Sequence, residues 1–260
     1  METISSRKNP MIAHLKKLNR NRGYRRSSGL FLCEGKKLLE DALTACMEIP
    51  TGVLPGGRIP VVIYHGQKPR LPDDIKAVYV TEDIMQYVSS MKSAPDVLFT
   101  CKIRPNDNNI GEGKYIILEN VQDPGNIGTV IRTANAFSID AVILVGACAD
   151  PYGPKAVRAS MGAVFRQKII ETGSTDLVRI FKEQNIPLYA ASADNNSVDI
   201  RQARIPDFLG IAIGNEGHGL SDVITDAKTG GLRIPMNPMS ESLNAAAAAA
   251  ILMWELYRLS

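Results

Sequence analysis

Residues 233–254 read RIPMNPMSESLNAAAAAAILMW, and the interpretation of the whole chain starts from this stretch. A short strand over residues 232–236 is predicted to run into a tight turn at Asn237 and Pro238. Ser240, followed by Glu241, has the features of a helix N-cap with an acidic residue in the first turn, where the helix dipole favours negative charge. The six alanines then predict a helix with almost no side chains, which suits a close approach to another segment of backbone.

The alanines alone fit a second interpretation equally well, since alanine has the highest helix propensity and serves any packed helix. An unusual turn upstream favours close approach. Residues 214–220 read GNEGHGL, so three glycines occur within six residues after an apolar segment. The spacing matches neither the dinucleotide fingerprint nor the phosphate-binding loop. A generic glycine turn and a nucleotide site of another type remain the alternatives.

Charge is unevenly distributed along the 260 residues, of which 45% are hydrophobic and 22% are charged. Residues 1–40 contain ten lysines and arginines against three acidic residues, so this basic arm carries +7 while the whole chain carries +3. The arm indicates a phosphate-rich partner, nucleic acid before membrane, with a merely solvated charge run as the alternative. The candidate residues for RNA binding are Arg7, Lys8, Lys16, Lys17, Arg22, Arg25 and Arg26.

Other compositional features argue against secreted, membrane and metal-binding classes. Residues 1–21 lack the continuous apolar core of a signal peptide, and no apolar segment is long enough to span a bilayer. The four cysteines have no CxxC spacing, so we expect free, mostly buried thiols in a reducing cytoplasm. The three histidines are too dispersed for a zinc site, and no metal is expected.

Residues 1–105 predict a small α/β domain, because strands alternate with helices. The expected elements are a basic amphipathic helix at 5–21, a polar turn at 22–28, a strand at 30–33, a helix at 36–47, strands at 61–64 and 77–81, a helix at 82–91 and a strand at 97–103. Residues 104–113 read RPNDNNIGEG, so we place a linker at 106–113.

Residues 114–260 predict a second α/β domain with a parallel sheet covered by helices on both faces, since its strands are near-continuous apolar runs. The expected strands lie at 115–118, 141–145, 165–170, 188–191, 209–213 and 232–236, with helices at 126–137, 155–161 and 175–184 before the alanine helix. Ligands bind such sheets at the carboxyl ends of the strands.

Residues 119–134, ENVQDPGNIGTVIRTA, occupy one of these strand-to-helix junctions. Asn126, Thr129 and Arg132 fall together on the side of the predicted helix that is opposite its apolar face. A helix N-terminus with a glycine-bearing entry is a natural anion site. An exposed arginine on an ordinary amphipathic helix is the alternative for this segment taken alone.

Three stretches, NIGTVIRTANAF at 126–137, IGNEGHGLS at 213–221 and IPM…SLNAAAA at 234–248, together resemble the three-motif signature of the SpoU (TrmH) branch of the SPOUT RNA ribose methyltransferases. The order of the motifs agrees, and the resemblance covers residues 114–260. More weakly, residues 1–105 resemble the accessory substrate-binding domain of the ribosomal-RNA members, a small α/β fold shared with certain ribosomal proteins.

The resemblance implies a C-terminal segment threaded through a loop as a deep trefoil knot, although true knots are rare in proteins. A thin alanine helix suits such threading. It also implies S-adenosylmethionine as the cofactor, bound in the knot largely by backbone groups. The cofactor-binding residues expected from it are Ala191, Gly214, Asn215, Gly217, Ile234, Met236 and Leu243.

Within that family, the arginine corresponding to Arg132 is proposed to take the proton from a ribose 2′-hydroxyl. A guanidinium is effectively always protonated, so stabilisation of charge and orientation of the target is a less demanding role. Asn126, Glu216, Ser242 and Asn244 complete the expected catalytic set, with Asn126 reaching across the interface of a homodimer.

The sequence therefore predicts a cytoplasmic, homodimeric methyltransferase that acts on the ribose 2′-hydroxyl of RNA, with 23S ribosomal RNA as the preferred substrate. A basic arm and a separate recognition domain suit a large structured RNA. Transfer RNA is the alternative substrate. A non-catalytic RNA-binding or ribosome-assembly factor is the alternative from another class, and the intact catalytic set argues against it.

Overall fold

The protein is described from a computed structural model, which covers residues 3–45, 51–54, 57–60, 62–73, 75, 77–107, 109–192, 197–215, 217–237, 239 and 242–258. The chain forms two compact units. Unit 1 comprises Met1–Pro105 together with Asp150–Phe165, and unit 2 comprises Asn106–Ala149 together with Arg166–Ser260.

Unit 1 is built on a mixed five-stranded sheet with helices packed on it. Strands β5 and β6 are parallel, while β7 runs antiparallel to β5 and β2. The sheet order is β1-β6-β5-β7-β2, and β3 and β4 form a separate antiparallel pair. In chain order its elements are β1 (Thr3–Ile4), α1 (Pro10–Arg20), α2 (Arg22–Ser28), β2 (Leu30–Glu34), α3 (Lys36–Thr44), β3 (Thr51–Leu54), β4 (Gly57–Pro60), β5 (Val62–Tyr64), β6 (Ala77–Val80), α4 (Glu82–Val88) and β7 (Val97–Lys102).

Helix α1 belongs to the core of unit 1. Its apolar face buries Ile12, Leu15 and Leu18 completely, in one cluster with residues of α4 and the sheet. The Asn9 side chain caps the helix by accepting a hydrogen bond from the Met11 amide at 2.9 Å. The predicted amphipathic helix is thus confirmed, and its burial makes it an integral element of the fold.

The prediction of a polar turn at 22–28 is wrong, because these residues form helix α2. The Asn21 side chain accepts a hydrogen bond from the Tyr24 amide at 2.8 Å and starts the helix. Gly29, in the left-handed region with φ 66°, ends it. The cap residues were present in the sequence, but the charge of the segment obscured them.

Unit 2 is built on a seven-stranded sheet in which every neighbouring pair is parallel. The strand order is β10-β9-β8-β13-β11-β14-β12. From residue 114 the chain forms β8 (Lys114–Glu119), α5 (Pro124–Ala136), β9 (Ala141–Val145), α6 (Pro154–Ala159), a 3₁₀ turn (Ala163–Phe165), β10 (Lys168–Thr172), α7 (Ser174–Glu183), β11 (Leu188–Ala191), β12 (Val198–Asp199), β13 (Leu209–Ile213), α8 (Asp222–Ala227), β14 (Gly230–Arg233) and α9 (Ala245–Arg258).

Helices cover both faces of this sheet, as the apolar strands predicted. All residues of β9 and β13 are buried. Helices α7 and α8 pack on one face, where Phe181 and Ile224 join a cluster with alternate strand residues. Helices α5 and α9 pack on each other, α5 against β9 and α9 against β13. The doubly covered parallel sheet defines the α/β class.

Segment 150–165, which contains α6 and the 3₁₀ turn, is an integral part of unit 1. Asp150 pairs with Arg25 at 2.6 Å, with side chains that are 11% and 6% exposed. Arg158 pairs with Glu34 at 2.6 Å, and the Glu34 side chain is only 1% exposed. Buried charges of this kind are costly unless paired, so the segment completes unit 1. The boundaries expected from the sequence had placed these residues within 114–260.

Other boundaries also differ from the sequence predictions, among them the start of α1, which lies at Pro10. The strand expected at 165–170 begins at Lys168, after the 3₁₀ turn. Strand β14 spans Gly230–Arg233, so residues 234–236 lie beyond the sheet instead of within a strand. Helix α8 and strand β12 were not predicted at all. Ser240 and Glu241, the expected cap, lie outside the described residues, and the helix begins at Ala245.

Candidate functional site

A cavity of about 370 Å³ opens at the carboxyl ends of β11, β13 and β14 in unit 2. Its walls include backbone and short side chains from the turn after β13 and from the segment after β14. Six of the seven residues expected to bind the cofactor line it: Ala191, Gly214, Asn215, Ile234, Met236 and Leu243. Gly217 does not line it, because it lies at the exposed tip of its turn.

The turn at residues 214–220 is closed by its own backbone. The Asn215 amide donates to the Gly219 carbonyl at 3.1 Å, and the Gly219 amide donates to the Asn215 carbonyl at 2.8 Å. Gly219 adopts φ 67°, which favours glycine. A Cβ placed on Gly214 would lie 2.2 Å from the Gly219 carbonyl carbon, so only glycine fits at this position.

Two residues at the end of β8, Glu119 and Asn120, fix the position of this turn by hydrogen bonds. The Glu119 carboxylate, 2% exposed, accepts hydrogen bonds from the Ser221 amide and hydroxyl, each at 2.7 Å. The Asn215 side-chain amide donates to the Asn120 carbonyl at 3.0 Å. Charge-assisted bonds to a buried carboxylate are among the stronger hydrogen bonds in proteins. The first and second motifs are therefore joined at the sheet edge.

The third motif forms the wall opposite this turn. Asn244 caps α9, accepting hydrogen bonds from the Ala246 amide at 2.9 Å and the Ala247 amide at 3.3 Å. Ala245 and Ala248 line the cavity. Their methyl groups are small enough for the helix to pack close to β13, which supports the close-approach interpretation of the alanines.

A side-chain hydrogen bond connects the first motif to the third. The Asn244 amide nitrogen donates to the Asn126 side-chain oxygen at 3.1 Å, within a single chain. This contact lies within one chain, and the expectation that Asn126 reaches across the interface of a homodimer stays a prediction. Asp123 caps α5 by accepting from the Asn126 amide at 3.0 Å, which fixes the start of the helix two residues before the predicted position.

Arg132 and Ser242 are both exposed, and Ser242 lines the cavity. Arg132 lies on the solvent side of α5 beside Thr129, as the helical spacing predicted. Its guanidinium makes no hydrogen bond or ion pair with any residue that the structure describes, so it is available to a ligand. Glu216 lies outside the described residues.

Sequence reasoning missed two polar residues of the cavity, Thr225 and Lys228. Both belong to α8 and its end, and this helix was not predicted. The only available signal was Ser221, whose position before Asp222 is that of an N-cap. Without the sheet order, nothing in the sequence placed α8 beside the ends of β11 and β13.

The candidate RNA-binding residues in unit 1 are not equivalent. Arg25 is 5% exposed and donates hydrogen bonds to Asp150 and to the Leu18 carbonyl, so it is a structural residue and is removed from the candidate set. Arg7 pairs with Asp83 and lies over the Tyr87 ring, and Lys16 is bonded to the Tyr87 carbonyl. Lys8, Lys17 and Arg26 are exposed, and Arg22 is half-buried.

The cysteines of the described residues are not suited to nucleophilic chemistry. Cys33, Cys101 and Cys148 are free and buried, and Cys46 lies outside the described residues. Burial raises the pKa of the Cys33 and Cys148 thiols, which makes them poor nucleophiles. Within the described ranges, no group of side chains could hold a metal ion. In the same ranges, no helix has the length and apolar character required to cross a bilayer.

Comparison with known proteins identifies the family. Residues 113–254 match the SpoU rRNA methylase family, and residues 9–99 match the MRM3-like substrate binding domain. The chain therefore belongs to the SpoU rRNA methylase family. As a member, it is an RNA methyltransferase that uses S-adenosylmethionine.

Individual relatives resemble the chain over its whole length. The 23S rRNA (guanosine(2553)-2'-O)-methyltransferase RlmP of Bacillus subtilis is 29% identical over 98% of this chain and 99% of that protein. A putative TrmH-family RNA methyltransferase of Porphyromonas gingivalis has a TM-score of 0.81 at 31% identity, covering 96% of this chain and 97% of that one. An AdoMet-bound rRNA methyltransferase of Sinorhizobium meliloti has a TM-score of 0.84 at 27% identity, covering 99% and 98%.

The cavity suits a methyl donor with an adenosine moiety. Its lining combines apolar side chains with a backbone turn that a Cβ on Gly214 would obstruct. When bound, the cofactor supplies an electrophilic methyl group. Among the described residues, the backbone of Gly214, Asn215 and Gly219 would hold its polar atoms, and Ile234, Met236 and Leu243 would contact its apolar surface.

We expect Gly214→Ala to weaken binding of S-adenosylmethionine by at least about 100-fold, because relieving the clash with Gly219 requires the turn to open. Isothermal titration calorimetry measures the dissociation constant. Gly217→Ala is the matched comparison in the same turn. A Cβ there would contact only the Asn215 side-chain oxygen, at 3.4 Å, so the affinity should be retained. Equal affinities of the two variants would contradict the assignment.

Proposed function

We propose that the protein transfers a methyl group from S-adenosylmethionine to a ribose 2′-hydroxyl of 23S ribosomal RNA in the cytoplasm. The observation that carries the proposal is that the second and third motifs line one cavity, while the Asn126–Asn244 and Glu119–Ser221 hydrogen bonds connect segment 119–137 to both. The full-length similarity to RlmP supports the substrate. Residues 1–105 serve as the substrate-binding domain and 114–260 as the methyltransferase domain, apart from segment 150–165.

The proposed chemistry depends on positioning. Methyl transfer requires the attacking oxygen to lie in line with the methyl group, and correct placement can lower the barrier by several kcal/mol. Arg132 holds the phosphate and hydroxyl of the target nucleotide and stabilises the developing negative charge on oxygen. Asn126, Ser242 and Asn244 orient the nucleotide beside the cavity, together with Glu216. The proton of the hydroxyl passes to solvent water, and the positive charge of Arg132 favours the alkoxide that remains.

Arg132→Ala should reduce methyl transfer at least about 1,000-fold, since it removes the charged group that the transition state requires. Binding of S-adenosylmethionine should stay within about twofold of the parent, because Arg132 does not line the cavity. Transfer of a labelled methyl group to ribosomal RNA measures the first quantity, and calorimetry measures the second.

Arg179→Ala serves as the control, because this exposed arginine on α7 pairs only with Asp176 and Glu183 of its own helix. Full activity of the Arg132 variant would exclude the residue from the mechanism. Absence of methyl transfer by the parent protein on both ribosomal and transfer RNA would instead favour the non-catalytic RNA-binding alternative.

We also propose that the C-terminal segment forms a trefoil knot. Strand β14 lies outside β11, yet α9 returns to pack on α5 and β13 nearer the centre of the sheet. A chain that must pass through a loop to make this return needs a narrow leading helix. The alanines of α9 meet that requirement, which supports the threading.

The proposed RNA-binding surface of unit 1 consists of Lys8, Lys17 and Arg26, with Arg7, Lys16 and Arg22 beside them. Exposed lysines and arginines bind phosphates and release counterions, which makes the affinity salt-dependent. Tyr24 and Tyr87 carry cations over their rings in this region. Deletion of residues 1–26 would not test this surface, because it removes the buried face of α1.

The triple substitution of Lys8, Lys17 and Arg26 by alanine should therefore weaken RNA binding and lower the slope of log affinity against log salt by about 2 to 3. Filter binding at salt concentrations from about 50 to 200 mM measures the slope of log affinity against log salt. Lys182→Ala on α7 is the control for removal of an exposed charge in unit 2. An unchanged slope in the triple variant would leave the basic arm without a role in RNA binding.

The homodimer proposal rests on an exposed aromatic cluster. Phe137, the residue that follows α5, forms ring contacts with Trp254 and Tyr257 of α9, and the ring centroids lie 5.5 to 6.4 Å apart within this cluster. Trp254 is 49% and Tyr257 47% exposed, and Ile251 extends the patch. Such a contiguous apolar surface marks an interaction site. A second copy of the chain, with the same patch, would cover it symmetrically.

Trp254→Glu should convert the dimer into a monomer, since it places a charge at the centre of the proposed interface. Sedimentation equilibrium gives the mass directly. Val223→Glu on α8, where valine is 43% exposed, is the control for a charge introduced on another surface. A parent protein that sediments as a monomer would remove the dimer from the proposal.

A further inference from the structure

A second cavity of about 350 Å³ lies on the other side of the turn that follows β13. It is lined by Asn120, Gln122, His218 and Ser221, together with Asn215, Gly219 and Leu220. The last three residues also line the first cavity, at the ends of β11, β13 and β14, which we propose to hold S-adenosylmethionine and call the donor cavity. One turn of backbone therefore forms part of the wall of both cavities.

The lining of this second cavity carries unsatisfied hydrogen-bonding groups. Within the described part of the chain, the Gln122 side-chain amide has no hydrogen bond, and Gln122 is exposed. The Asn120 side-chain oxygen accepts from the Ala147 amide at 2.8 Å, which leaves its amide nitrogen without a described partner. His218 makes only a long contact, 3.5 Å from Nδ1 to the Asn215 side-chain oxygen.

These groups are held in place by the surrounding structure. Asn120 adopts φ 56°, an uncommon conformation for a residue other than glycine, and its carbonyl accepts from the Asn215 side chain at 3.0 Å. Ser221 is bonded to the buried Glu119 carboxylate. An open, polar cavity with fixed walls is suited to binding a ligand with donors and acceptors of its own.

The chemistry of the lining favours a nucleobase over a phosphate. Among the residues that the structure describes, no lysine or arginine lines this cavity. Carboxamides of asparagine and glutamine carry a donor and an acceptor side by side, as the edges of bases do, and histidine stacks on unpaired bases. The shared turn places such a base next to the donor cavity, within reach of the nucleotide whose ribose is methylated.

We propose that this cavity binds the base of the target nucleotide, that Gln122 determines which base is accepted and that His218 adds affinity for any base. The inference rests on the proposed function and deepens it. Gln122 reads the edge of the base, the Asn120 amide nitrogen adds a donor, and His218 stacks on its face. Binding of the base also stabilises the conformation of the turn that both cavities share.

The experiment first locates the methylated nucleotide by mass spectrometry of ribosomal RNA treated with the full-length parent and S-adenosylmethionine. Four RNA fragments, each with a different base at that position, are then compared as substrates. Gln122→Ala should lower kcat/KM for the preferred base about 10- to 100-fold, so that the four fragments differ less in kcat/KM than they do with the parent. The affinity for S-adenosylmethionine should be unchanged. Gln184→Ala, an exposed amide at the end of α7, is the matched control and should behave as the parent.

His218 is tested by two substitutions. His218→Phe preserves an aromatic ring and should retain at least half of the parent activity, whereas His218→Ala should lose about tenfold in kcat/KM. If the Gln122→Ala variant discriminates among the four bases as strongly as the parent does, the inference is overturned while the proposed function stands. If the parent methylates no RNA, the proposed function fails first.

Discussion

The site depends on the contact of Gly214 with the backbone of Gly219 and Leu220. No side chain fits between these segments, since a Cβ would lie 2.2 to 2.5 Å from three backbone atoms. The contact folds the turn back on the end of β13 and directs Asn215 toward Asn120. Two cavities with one common wall result, and each would change shape if the turn opened.

Two side-chain hydrogen bonds convert this turn into a fixed part of a larger site. Glu119 is buried and satisfied by both donors of Ser221, so removing either partner would leave a charge or a donor buried without compensation. Asn244 starts α9 and also reaches Asn126 at the start of α5. Asn244 therefore both caps α9 and connects the third motif to the first, which fixes the position of the alanine helix beside the cavity.

In unit 1, some charged residues form buried ion pairs that stabilise the fold, and only the others are exposed for binding. Arg25 and Arg158 satisfy the buried or nearly buried carboxylates of Asp150 and Glu34. The Glu34 carboxylate also accepts hydrogen bonds from Ser89 and from the Ser90 amide. A net charge of +7 on residues 1–40 therefore overstates the positive surface that is open to RNA. The buried pairs instead make segment 150–165 essential to unit 1.

By itself, the sequence predicted the parallel sheet, the order of the three motifs and six residues that line the cavity at the ends of β11, β13 and β14, because apolar periodicity and glycine spacing act over a few residues. The caps at Asn21 and Asn244 were also local, and charge or a nearby serine concealed them. Only the tertiary structure decided that Arg25 is buried, that segment 150–165 belongs to unit 1, and that α8 and Gln122 border the cavities. These features depend on strand order and on ion pairs between residues more than 100 positions apart, such as Arg25 and Asp150. Sequence patterns that extend over a few residues predict neither.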